Sequence, residues 1–145
     1  MNRAYLSVVT AEGIAFGKPV RFKLGSHSST SRRLALRWLR NQAHRLADGL
    51  DPDPNAPWLR TVPGALVRLP SLRADVPTEL RRWCRDDQAY EDALSALTTR
   101  VPVMLSVADL WGSYTLAVWP MSDSAARTEQ CAEPHPEPST ARASP

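Results

Sequence analysis

Lysine is nearly missing from this chain: of eighteen basic residues only Lys18 and Lys23 are lysine, so positive charge is carried almost wholly by arginine. That bias fits a high-GC genome as readily as a demand for guanidinium groups, which are the better fork for phosphate. Cysteine is equally scarce. Cys84 and Cys131 offer neither a disulfide framework nor zinc-ligand spacing. The three histidines stand apart, His27 in a serine-rich segment, His44 on a basic helix face and His135 near the C-terminus, with no triad signature or metal-ligand spacing. The one glycine of Gly25–Ser31 is followed by no Gly-Lys pair, which excludes a phosphate-binding P-loop. No apolar run approaches the eighteen residues of a membrane span, and the first residues lack a charged-then-apolar leader, so a cytoplasmic protein is expected. Asp86, Asp87, Glu91 and Asp92 are read as a capped, solvated helix surface rather than a carboxylate site. Neither an enzyme nor a cofactor is expected.

What the chain does have is charge asymmetry. Residues 1–50 carry nine basic and two acidic residues, net +7, whereas the remaining ninety-five carry nine basic and thirteen acidic, net −4. A basic half beside an acidic remainder points to a polyanion or an acidic protein partner.

The length of 145 residues suits one domain. The reading is an α+β domain over 1–121, built from two hairpins in the order ββα…αββ, with an antiparallel sheet, helices on one face and a disordered tail over 122–145. The first hairpin is expected from Arg3–Thr10, a turn at Ala11-Glu12-Gly13, and Ile14–Leu24, where Val20, Phe22 and Leu24 alternate with Arg21 and Lys23. Gly17 and Pro19 suggest a bulge or edge position. Gly25–Ser31 reads as a loop that caps a helix over Ser31–Asp48, ending near Gly49. A proline-rich connection follows. Ala65–Leu69 fits either a short strand or a helical turn. A helical region over Thr78–Thr98 is expected to break at Asp86-Asp87, and Val101–Val107 with Ser113–Trp119 makes the second hairpin.

At helical period, Ala35, Leu36, Leu39, Ala43, Leu46, Ala47 and Leu50 share a face, and Arg33, Arg37, Arg40 and His44 form a basic stripe away from it. With Arg32, Arg21 and Lys23 beside it, the stripe is a candidate contact for successive phosphates of a nucleic acid, without base choice. Its bland alternative is a solvated face. Leu34, Trp38 and Arg45 form a third strip, a candidate for partner binding because tryptophan is enriched at interface hot spots.

The stretch RRLALRWLRNQAHRLADGLD from Arg32 to Asp51, with the hairpin before it and YTLAVWP at Tyr114–Pro120, resembles small arginine-rich proteins of conjugative plasmids in filamentous actinobacteria, above all the plasmid spread proteins. The resemblance implies a non-enzymatic accessory of plasmid transfer, acting with a translocase and touching DNA or a partner protein. The missing membrane span departs from the membrane-integrated members of that group. Two further readings stand beside it: a nucleic-acid-binding module using the basic helix, and a protein–protein adaptor or oligomerising regulatory subunit.

Overall fold

The computed structural model describes residues 4–53, 55–57 and 75–122. They form an α+β fold in the order β1 (Ala4–Ala15), β2 (Lys18–Ser29), α1 (Arg32–Leu50), α2 (Val76–Arg85), α3 (Asp87–Thr98), β3 (Val103–Ala108) and β4 (Gly112–Met121). The strands make one antiparallel sheet in the order β2-β1-β4-β3. The two sequential hairpins are thus fused through β1 and β4, which pair from Ala4 opposite Met121 to Gly13 opposite Gly112. Ala65–Leu69, expected as strand or helical turn, and the tail from 123 onward lie outside the described residues.

The first hairpin turns later than its glycine suggests. Ala15 pairs with Lys18, so the loop is Phe16-Gly17, and both residues take positive φ, 52° and 73°, as the two-residue hairpin turn of type I′ requires. The expected turn at Ala11-Glu12-Gly13 is instead strand. Gly13 serves a different need: a Cβ there would lie 3.3 Å from the Trp111 carbonyl oxygen, and one on Gly112 would lie 2.5 Å from that of Glu12. The missing side chains let β1 and β4 close together at that end. Gly25–Ser29, expected as loop, continues β2, because Gly25 lies beneath the Trp38 ring and the segment pairs with Tyr5–Val9. The bulge falls at Leu24 rather than Gly17–Pro19, as the pairing steps from Val9–Gly25 to Thr10–Lys23.

Alternation puts Tyr5, Ser7 and Val9 of β1 and Leu116 and Val118 of β4 under the helices, where they are buried with Ala35, Leu36, Leu39, Ala43 and Ala47 of α1. Each fully buried leucine contributes about 1.5–3 kcal/mol. Buried Ser7 donates a 3.4 Å hydrogen bond to the Ala35 carbonyl, so its hydroxyl is satisfied where the helix crosses the strand. Helix α1 starts at its cap Ser31, whose hydroxyl accepts from the Leu34 N–H, and it runs through Gly49 to Leu50. Asp75 caps α2 by accepting the Thr78 N–H at 2.9 Å, and Asp86 caps α3 by accepting the Ala89 N–H at 2.9 Å, which sets the break between the two helices. Among the described residues, no helix packs on the opposite sheet face. Leu6, Val8, Ala117, Trp119 and Met104 lie along its middle.

Candidate interaction surfaces

Helix α1 lies over the sheet with α2 on one flank and β2 on the other, and this placement divides the residues of the basic stripe. Arg33, Arg37 and His44 stand on its exposed ridge. Arg40 does not. Its Nη2 donates to the Cys84 carbonyl, its guanidinium sits 4.7 Å above the Tyr90 ring, and the Asp87 carboxylate is 3.6 Å away. That side chain clamps the junction of α2 and α3, leaving only 22% of it exposed. Arg32 is half-buried, with Nε enclosed and lacking a hydrogen-bond partner.

Arg21 and Lys23 pair with Glu12 and Thr10, which puts them on the bare sheet face, opposite the face covered by α1. Arg21 also forms an ion pair with Glu12 across the strands. The cations assigned to one surface therefore occupy two, on opposite sides of the sheet. Among the described residues Arg32, Arg33, Arg37 and Arg45 have no ion pair, and the last three, which are exposed, form the free cationic part of α1. In the third strip, Leu34 and Arg45 are exposed, while Trp38 stacks on His27 with ring centroids 5.6 Å apart and covers Gly25. Trp38 packs α1 on β2 and is half-buried there.

The most exposed apolar side chains gather elsewhere, at the end of the sheet where Gly13 meets Gly112. The β1–β2 turn presents Ile14, 78% exposed, and Phe16, fully exposed; the β3–β4 turn beside it presents Leu110 at 91% and Trp111 at 82%. The second turn is held by Asp109, whose carboxylate accepts the N–H groups of Trp111 at 2.8 Å and Gly112 at 3.1 Å. Between the turns lies an open depression of about 490 Å³ lined by Ile14, Pro19, Val20, Leu110 and Trp111, with Glu12 and Arg21 at its rim. The strand alternation of β1 and β2 carried no sign of this cluster, because Phe16, Leu110 and Trp111 sit in turns and Ile14 lies at the last paired positions of β1. The available signal was local: Leu110-Trp111 within an Asp109–Gly112 turn, and an aromatic residue directly before Gly17.

Cys84 is buried against α1, where its thiol faces the Arg40 carbonyl at 3.6 Å and burial pushes its pKa up. A buried protonated thiol is a poor nucleophile. Among the described residues, no three His, Cys, Asp or Glu side chains converge as metal ligands, and no helix is long and apolar enough to cross a membrane. In comparison with known proteins, the chain matches no family model, no curated protein and no solved structure.

Proposed function

We propose that this is a non-catalytic interaction protein that docks through its paired hairpin tips. One observation carries the reading: the exposed side chains of Ile14, Leu110 and Trp111 line one depression at one end of the sheet, and Phe16 stands fully exposed at the hairpin apex beyond it. Exposed apolar residues scattered singly are ordinary, but a contiguous cluster is a binding surface or an aggregation hazard. Aromatic anchors at the centre of such a cluster are the usual carriers of binding energy. The role in plasmid transfer remains a proposal resting on the resemblance alone, and transfer frequency with and without the gene tests it.

The docking reading is tested by protection in the cell. In a Cys131→Ser background Cys84 stays silent because it is buried, so a cysteine introduced at Phe16 reports that position alone. Its maleimide labelling should be fast in the purified protein and slow in intact cells. Cysteine introduced at Asn41, on the exposed ridge of α1, should label at equal rates in both after allowance for probe entry. Equal rates at position 16 would remove the docking reading.

A second reading is favoured by the lack of ion pairs at Arg33, Arg37 and Arg45: α1 binds nucleic-acid phosphates. Replacing all three by Gln should then flatten the dependence of log affinity on log salt by about 0.9 for each duplex phosphate that is no longer neutralised. No duplex binding by the wild type at low salt ends that reading.

A further inference from the structure

The tip has a shape and chemistry that select among occupants. Phe16 is at the apex and takes no part in lining the depression between the turns. A ligand seated only in that depression would leave the phenyl ring in water. An occupant that covers the whole cluster must receive a convex end. Phe16 also stands at positive φ, where asparagine or glycine would be cheaper and a bulky side chain is strained. The fold draws no support from its ring, so the strain is stored at a position with no structural return.

Area argues against a second copy as the occupant. Aromatic side chains each bury roughly 150–250 Å², so Phe16 and Trp111 with Leu110 and Ile14 offer on the order of 600 Å². A standard stable interface takes about 800 Å² from each partner. Insertion into a lipid interface has no such threshold, because each apolar side chain leaves water independently and electrostatic attraction adds to it. Indole is suited to the headgroup level of a bilayer.

Charge points the same way. Lys18 lies next to Phe16 and Gly17 at the tip, with Arg21 and Lys23 successively farther back along β2. Glu12 and Arg21 offset each other as an ion pair and Asp109 keeps its negative charge while accepting the N–H groups of its own turn, so among the described residues Lys18 and Lys23 are the unpaired cations of this end. Behind this collar Thr10, Ser106 and Thr115 separate the tip from the apolar middle of the bare sheet face, so the two apolar surfaces are distinct.

We propose that the two hairpin tips form a membrane-docking wedge that seats Phe16, Trp111, Leu110 and Ile14 in the interfacial layer of an anionic bilayer, with Lys18 and Lys23 supplying the cations for lipid phosphates. This rests on the docking reading and names its occupant. The lysines supply salt-sensitive attraction; the apolar crown supplies the part that salt does not screen.

The test is co-sedimentation of the full chain with phosphatidylcholine vesicles, with and without phosphatidylglycerol, across a salt series. The wild type should sediment with the mixed vesicles and much less with phosphatidylcholine alone. Phe16→Asn combined with Trp111→Ser should lower the partition coefficient about tenfold or more, while a Lys18→Gln, Lys23→Gln pair should lose the preference for anionic lipid and flatten the salt dependence. Asparagine tolerates positive φ, and thermal unfolding of each variant confirms that the fold persists. Lipid brominated near the headgroup should quench wild-type fluorescence more than that of Trp111→Phe. No sedimentation with mixed vesicles at low salt, or equal binding by the tip variant, overturns the proposal. So does a tip-dependent dimer in sedimentation equilibrium, which would make a second copy the occupant. Protection of position 16 in cells without vesicle binding would leave docking intact and exclude lipid.

Discussion

Removing Arg40 tests whether this side chain belongs to a charged surface or to the framework of the helix layer. Its guanidinium donates to the carbonyl of Cys84, in the last turn of α2, where helical carbonyls have no partner within the helix. It also lies over the Tyr90 ring of α3. A hydrogen bond with a charged partner contributes about 1.5–3 kcal/mol, and a cation over an aromatic ring at a half-exposed site contributes about 0.5–1 kcal/mol. The Asp87 side chain is 95% exposed and its ion pair with Arg40 adds nothing to this account. Arg40→Met, which keeps the aliphatic stem, should therefore cost about 2–4 kcal/mol. For a domain of this size that lowers the thermal midpoint by on the order of 10 °C or more. Arg37→Met, one turn back on the exposed ridge, should stay within about 0.5 kcal/mol of wild type. Urea unfolding monitored by circular dichroism measures both. Equal midpoints for the two variants would refute the clamp and return Arg40 to the solvated stripe; a double-mutant cycle with Tyr90→Leu should show a coupling of about 0.5–1 kcal/mol.

Other outcomes follow from the same packing. Leu39→Asp, at a fully buried position, should abolish cooperative folding, read as lost soluble yield and a collapsed circular dichroism signal. Gly112→Ala should destabilise by about 1–3 kcal/mol, measured by thermal unfolding, because its Cβ would meet the Glu12 carbonyl oxygen at 2.5 Å and force β1 and β4 apart. Asp75 has its pKa lowered from 3.8 by hydrogen bonds from Thr78, the side chain's first and the backbone N–H second. The stability it contributes is therefore present above the unfolded-state value and is lost as pH falls through the lower folded-state value. Asp75→Asn should consequently lie below wild type by about 1 kcal/mol or less near neutral pH and converge with it in acid, as urea midpoints at several pH values would show.

The helix layer was largely readable from the chain. The spacing of Ala35, Leu36, Leu39, Ala43, Leu46, Ala47 and Leu50 marks the inner face of α1; five of the seven are buried and Leu46 is half-buried, whereas Leu50, in the last position of the helix, is exposed. Asp86, the aspartate before α3, marks the break between the second and third helices because its carboxylate accepts an N–H that the helix leaves free. Local chemistry suffices for both. The first hairpin was less readable. Gly13 looks like a turn residue in one dimension, and only its opposition to Gly112 in the assembled sheet shows that it is needed for close approach. Gly25–Ser29 has a loop-like composition, yet the register with Tyr5–Val9 and the ring of Trp38 above Gly25 hold it as strand.

The candidate sites divide along the same line. Periodicity determined that Arg33, Arg37, Arg40 and His44 share a stripe, because that depends only on the helical repeat. The docking of α2 and α3 decided that Arg40 turns inward, and the sheet decided that Arg21 and Lys23 lie opposite α1, because a helix wheel contains no neighbours. The pairing of β1 with β4 likewise brings two turns some ninety-five residues apart in the chain to one end of the molecule and sets Ile14 and Trp111 around one depression. Composition and local pattern determined which side chains are charged, apolar or helical; long-range strand pairing and helix packing decided which of them meet, since distances between remote segments are set only when the chain closes on itself.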